Sequence, residues 1–149
     1  MPPSKRVLRG RGAVQGLGEG EALVSPEPIS FLGGVDPRTG LVIERGHPLK
    51  GLSVAGKVLV FPRGKGSTVG SYVIYGLKQY GKAPAAMVNV ETEPIIATGC
   101  ALAGIPLVDR LDANPIEAIR SGDKVLVDGD KGLVEVEPGA MSSRASWRT

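Results

Sequence analysis

Residues Phe61-Pro62-Arg63-Gly64-Lys65-Gly66-Ser67-Thr68 bring together the side chains of this sequence best suited to chemistry. An apolar run, Val58-Leu59-Val60-Phe61, reads as a buried strand that breaks at Pro62, turns through two glycines flanking a lysine, and delivers Ser67 and Thr68 to the start of a helix. A junction of this kind makes an anion site with a hydroxyl in it. Glycines let backbone N–H groups converge on a ligand, a helix N-terminus adds about half a positive charge, and Arg63 and Lys65 add whole ones. Ser67 and Thr68 are equally the residue types that cap helices, so the local sequence leaves cap and catalyst both open.

Two nucleotide-binding readings of the glycine loop fail on spacing. A Walker A loop needs G-x-x-x-x-G-K-[ST], but Gly64-Lys65 is followed by Gly66, and the position five before Gly64 is Leu59. Gly64-Lys65-Gly66-Ser67-Thr68-Val69-Gly70 is one residue longer than the dinucleotide fingerprint, and no first unit of a doubly wound domain surrounds it. Elsewhere, His47 stands before Pro48 as a turn residue, and Cys100 sits among Gly99, Ala101 and Ala103 as a small core residue. Asp36 before Pro37 suits a turn; beside Gly33 and Gly34 it is also placed to orient a base or receive a substrate hydroxyl.

Composition narrows the rest. With 149 residues, 42% hydrophobic and 4% aromatic, the chain can bury an aliphatic core, and an α/β or β-rich protein is the default. The net charge of +3 permits an anionic partner, but clustered positives lie only towards the ends, at Lys5, Arg6, Arg9 and Arg11 and at Arg144 and Arg148. A nucleic-acid surface would show a basic face with exposed aromatics, and none is evident. One cysteine and one histidine cannot make a disulfide framework, a Cys/His zinc site or the ligand set of an iron–sulfur cluster, so no metal site is expected on this chain. With no signal-type leader and no run of eighteen apolar residues, the expected location is the cytoplasm.

The elements that must position the loop follow from periodicity and punctuation. Val7 to Val14 and Glu21 to Val24 read as strands separated by a turn at Gly16-Leu17-Gly18-Glu19-Gly20. Residues 29–40 read as a long packed loop, and Leu41 to Glu44 as a strand. Lys57 to Phe61 is a strand, and Thr68 to Tyr80 a helix with an apolar face of Val69, Tyr72, Val73, Tyr75, Leu77 and Tyr80. Ala85 to Val90, Pro94 to Ala103, Pro106 to Val108 and Pro115 to Arg120 follow as strand, helix, strand and helix. Val125 to Val127 and Leu133 to Val136 close the chain as a hairpin around Gly129-Asp130-Lys131-Gly132. The alternation from 57 to 108 implies a parallel core with right-handed crossovers, and the flanking strands a second β layer. The expected class is therefore an α/β domain in three layers, β/β/α, around a central partly parallel sheet. It spans 1–149 with a core at about 7–137 and flexible ends at 1–5 and 139–149. Ligands collect beyond the carboxyl ends of parallel strands, where Gly64 to Ser67 would lie.

Phe31-Leu32-Gly33-Gly34-Val35-Asp36-Pro37 with Thr39-Gly40, His47-Pro48-Leu49 with Gly51, residues 61–68, Pro84-Ala85-Ala86, and Gly104-Ile105-Pro106-Leu107-Val108-Asp109 add up to a combination that can be named. In this order they resemble the small subunit, or swivel domain, of the aconitase X family, over roughly residues 7 to 137. The resemblance implies a swivelling β/β/α domain that closes over a large subunit, with which it forms a heterodimer or a higher assembly. That partner would carry an iron–sulfur cluster on its own cysteines. It implies a hydro-lyase active only with the partner, in which Ser67 accepts a proton while water leaves a hydroxylated acid. Arg63, Gly64, Lys65, Gly66, Thr68 and Asp36 would contact the substrate or tune Ser67. The most similar members dehydrate (R)-5-phosphomevalonate to trans-anhydromevalonate 5-phosphate in an archaeal route to isoprenoids, and relatives act on cis-3-hydroxy-L-proline. Two other classes compete with this reading: a phosphate- or nucleotide-binding module, and a mobile phosphohistidine carrier. The carrier would need His47 in a Gly-rich loop, and Pro48 directly after it argues otherwise.

Overall fold

A computed structural model describes residues 5–139. The ends expected to be flexible fall almost wholly outside that range, as do Arg144, Trp147 and Arg148. The strand Val58–Phe61 is buried at all four positions, and its side chains alternate between two cores, Leu59 and Phe61 in one, Val58 and Val60 in the other. A strand apolar on both faces must lie between two covering layers.

Twelve elements provide those layers among the described residues. In chain order they are β1 (Arg6–Arg9), β2 (Arg11–Val14), β3 (Leu17–Val24), the single turn α1 (Phe31–Gly34) and β4 (Val58–Phe61). Next come α2 (Gly70–Gln79), β5 (Ala86–Asn89), α3 (Pro94–Ala103), β6 (Leu107–Asp109), α4 (Pro115–Ala118), β7 (Lys124–Asp128) and β8 (Leu133–Glu137). The strands are hydrogen-bonded in the order β1-β8-β7-β3-β4-β5-β6-β2. Parallel pairing joins β3 to β4, β4 to β5 and β5 to β6, while β1, β7 and β8 pair antiparallel. The long β3 belongs to both parts: Leu17 to Glu21 pair with β7, and Ala22 to Val24 with β4. Helices α2 and α3 close the first core through Ile74, Leu77, Ile96 and Cys100. Val125, Val127, Val134 and Val136 of the hairpin close the second. The arrangement is the expected β/β/α with a partly parallel central sheet, and each fully buried aliphatic side chain contributes about 2 kcal/mol.

Three local expectations are corrected. Gly16 to Gly20 is not a turn, because β3 runs from Leu17; a Cβ on Gly18 would lie 2.2 Å from the Ala85 carbonyl oxygen, and one on Gly20 2.5 Å from that of Gly56. Those glycines are there because another backbone crosses the strand at contact distance. Leu41 to Glu44 does not form a strand; only isolated bridges occur, Val35 to Val42 and Leu41 to Ser53, which tie a packed loop. Helix α2 begins at Gly70 and buries Gly70, Ser71, Ile74 and Leu77, while Val69, Tyr72, Tyr75 and Tyr80 face solvent. Small residues on the inner face let α2 approach its neighbours closely. A Cβ on Gly70 would sit 3.3 Å from Ile95 Cγ2, and one on Gly99 of α3 2.6 Å from Ile74 Cδ1.

The carboxyl end of β6 holds a buried carboxylate. Asp109 accepts two hydrogen bonds from Arg11, at 2.9 and 2.8 Å, and one from the Thr92 N–H at 2.8 Å. Burial pushes its pKa up, but the Arg11 and Thr92 donors outweigh burial and hold it below the ordinary value. A depressed folded pKa adds stability that is present above the unfolded value, about 3.9, and is lost as pH falls through the folded one. Asp109→Asn is therefore expected to lower stability near neutral pH by about 2 kcal/mol and to flatten the acid limb of a denaturant-midpoint series. An acid limb as steep as that of the wild type would overturn this role for Asp109.

Candidate functional site

The loop after β4 is fixed by its backbone before any side chain acts. The Ile29 N–H donates to the Arg63 carbonyl at 3.2 Å and the Lys65 N–H to the Ile29 carbonyl at 3.1 Å, so residues 63–65 run beside Ile29 as one more parallel bridge. Gly64 is buried against the start of α3, where a Cβ would lie 2.5 Å from Glu93 Oε1 and 2.7 Å from Ile96 Cγ1. Glu93 itself caps α3, accepting from the N–H groups of Ile95 and Ile96. Gly66 is glycine for two reasons: its φ is +85°, and a Cβ would meet Ser30 Oγ at 2.6 Å.

Ser67 and Thr68, both exposed, then lead into α2. Ser67 Oγ accepts from the Val69 N–H at 3.2 Å and the Ser67 carbonyl from the Gly70 N–H at 2.9 Å, so the capping reading holds in part. Among the described residues the Ser67 hydroxyl donates to no acceptor. Among the described residues the N–H groups of Gly66, Ser67 and Thr68 make no hydrogen bond, so successive donors lie open on the backbone that carries the hydroxyl. An anion held at that point, a bound carboxylate or a serine alkoxide, would find unpaired donors and the positive end of α2.

A shallow depression of about 400 Å³ opens beside Gly66, lined by Ser30, Leu32, Glu44, Arg45 and Lys65. Here the sequence-predicted cations separate. Lys65 Nζ lies 2.9 Å from Glu44 Oε2, whereas the Arg63 side chain is exposed with no hydrogen bond or ion pair among the described residues. Burial raises the Glu44 pKa, but the bond from Lys65, the Ser30 N–H and the nearby positive charge bring it below the ordinary carboxylate value. Glu44, Ser30 and Arg45 were not legible as site residues. Nothing in spacing joins position 44 to position 65; the contact exists only because the chain after β3 folds back under the glycine loop.

Other candidates lie apart from the depression. Asp36 holds a turn, accepting from the Arg38 N–H at 2.9 Å, while Pro37 beside it packs where a Gly76 side chain would be. His47 is buried; its Nδ1 accepts from the Leu49 N–H at 3.0 Å, so Nε2 carries the proton towards the Pro28 carbonyl at 3.1 Å. Cys100 is buried with Sγ 3.5 Å from Met87 Sδ, and burial pushes its pKa upward. Neither is presented to a ligand, and no cluster of His, Cys, Asp and Glu among the described residues could hold a metal ion. No helix of the described residues is long and apolar enough to cross a membrane. A larger groove of about 880 Å³ lies on β3, β7 and β8 and shares no residue with the glycine loop.

Known proteins carry the same framework. The family model of the aconitase X swivel domain matches residues 7–136. A phosphomevalonate dehydratase small subunit of Methanocella arvoryzae is 58% identical over 129 residues, covering 87% of this chain and 98% of that one. The protein of the same name from Thermococcus onnurineus is 58% identical over 130 residues, with coverage of 87% and 98%. Among solved structures, holo-form aconitase X of Thermococcus kodakaraensis superposes with a TM-score of 0.84 at 53% identity, covering 88% of this chain and 98% of that chain.

Proposed function

The chain belongs to the aconitase X swivel-domain family, and from that premise we propose that it is the small subunit of a phosphomevalonate dehydratase, working in the cytoplasm with a large catalytic subunit. The reaction removes water from (R)-5-phosphomevalonate to give trans-anhydromevalonate 5-phosphate. Ser67 takes the proton: its oxygen abstracts it from carbon, the C–H electrons form the new double bond, and the hydroxyl departs from the neighbouring carbon. The observation that carries this reading is the exposed Ser67 hydroxyl beside the N–H groups of Gly66, Ser67 and Thr68, which bond nothing among the described residues.

A serine hydroxyl is a poor base until its oxygen is made anionic, and preorganised donors lower the cost of that anion. Each well-aimed N–H is worth about 3 kcal/mol when charge develops beside it. Arg63, unpaired among the described residues, is placed to hold one anionic end of the substrate, Thr68 borders the same donors, and Asp36 serves the site through the turn that supports the 29–40 loop.

Cys100 and His47 do not fit an iron–sulfur cluster, since one is enclosed in the core and the other is engaged at both ring nitrogens. The Lewis acid that takes the departing hydroxyl therefore belongs, in this proposal, to an iron–sulfur cluster on the large subunit. Support for a partner also comes from the rim of the site, where Leu32, Val69 and Tyr72 are 45%, 48% and 68% exposed. Apolar side chains gathered beside a half-built site suit burial against another subunit.

The test is reconstitution with the large subunit, followed by assays on (R)-5-phosphomevalonate and on cis-3-hydroxy-L-proline. Turnover of the first alone, and only by the assembled pair, is expected. Turnover of hydroxyproline would overturn the substrate assignment, and activity of this chain alone would overturn the subunit role.

A further inference from the structure

Glu44 lines the depression and touches each segment that forms it. Its Oε1 accepts from the Ser30 N–H at 3.1 Å, its Oε2 faces Lys65 Nζ at 2.9 Å, and its own N–H donates to the Gly34 carbonyl at 3.2 Å. Ser30 Oγ in turn occupies the space a Gly66 side chain would need. Glu44 thus braces Gly66 from two sides, through Ser30 and through Lys65, and Gly66 is the residue directly before Ser67. The same ion pair removes Lys65 as a free positive charge. Arg45, the next residue along, lines the depression, is exposed, and makes no hydrogen bond or ion pair among the described residues.

We propose that the two cations of the depression have separate roles, with Glu44 a positioning residue that commits Lys65 to fixing the Ser67 loop and Arg45 the group that receives a phosphate or carboxylate of the substrate. The guanidinium suits that duty because its planar fork pairs with two anion oxygens at once. The kinetic part of the inference rests on the dehydratase reading above; the binding part does not.

Two measurements test it. In the full chain, inorganic phosphate titrated against NMR amide signals should shift residues 44–46 and 64–67. Arg45→Gln should abolish those shifts, whereas Glu44→Gln should tighten phosphate severalfold, because a negative charge leaves the site. In the reconstituted complex, Arg45→Gln should raise KM at least about tenfold with kcat within about threefold, and Glu44→Gln should lower kcat about tenfold or more. A merely structural Glu44 would not tighten phosphate while slowing turnover. Phosphate shifts that survive Arg45→Gln, or an unchanged KM in that variant, would overturn the assignment of Arg45. Wild-type kcat and phosphate affinity in Glu44→Gln would overturn that of Glu44. Should Ser67→Ala retain turnover while Arg45→Gln raises KM, the base assignment falls and the anion contact stands.

Discussion

Ser67→Ala in the reconstituted complex is expected to lower kcat about a thousandfold or more while the complex assembles and melts as the wild type does. The structure separates the two consequences. Ser67 is exposed, and its oxygen accepts one hydrogen bond, from the Val69 N–H at 3.2 Å. Losing a contact of this capping kind costs about 1 kcal/mol or less, and α2 keeps Ile74 and Leu77 in the core whatever stands at position 67. Arg63 and Arg45, the groups assigned to the anionic ends of the substrate, remain in the variant, so substrate binding should persist and the deficit should appear in kcat rather than in KM. Single-turnover rates paired with thermal unfolding decide the matter. A loss of about 1 kcal/mol of stability with turnover intact would make Ser67 a helix lead-in cap and nothing more.

That outcome matters because the sequence leaves the two readings level, and the structure shows why each has substance. Ser67 does brace the entry to α2, through Val69. What tips the balance is next to it on the backbone. The Gly70 N–H is taken up by the Ser67 carbonyl and the Ser71 N–H by that of Thr68, whereas the N–H groups of Gly66, Ser67 and Thr68 bond nothing among the described residues and are the donors the base proposal draws on.

The parallel core was legible because its residues obey local rules. Val58 to Phe61 and Ala86 to Val88 are short apolar runs, and they lie in strands buried on both faces. Helix α3 runs from Pro94 to Ala103 as expected, since Glu93 caps it, Pro94 opens it, and Gly104 at φ +70° ends it. What local rules cannot carry is how close a second segment comes. Gly18 and Gly20 look like turn residues until the carbonyls of Ala85 and Gly56 are seen against them. Tyr72 and Tyr75 look like the buried face of α2 until Gly70 and Ser71 prove small enough to bring that helix onto its neighbours. The depression fails to show itself for the same reason. Lys65 was visible as a cation, but its partner Glu44 comes from a loop whose path is set by tertiary packing.

A severely destabilising methyl group is expected at Gly129, in the hairpin between β7 and β8. An alanine Cβ there would lie 2.0 Å from the Val14 carbonyl oxygen and 3.0 Å from its carbon, while a Cβ on Gly12 would lie 1.9 Å from the Gly129 carbonyl oxygen. Two backbones cross at this point with no room for a side chain on either. The obstructing atoms belong to β2, which cannot rotate aside as a flexible side chain would, and β2 is held by β6 through Arg11 and Asp109 and through Gly12 and Val108. Gly129→Ala must therefore push the hairpin off β2, opening the second core at Val127 and Val134, both fully buried. A loss of about 3 kcal/mol or more is expected, at the upper end of what overpacking costs. Gly51→Ala supplies the contrast: its φ is +90° but nothing lies within 4 Å of its Cβ, so only backbone strain of about 1 kcal/mol is expected. Urea unfolding of both variants measures the difference. Equal losses would mean that β2 yields at the crossing and that close backbone contact is not what requires glycine at position 129.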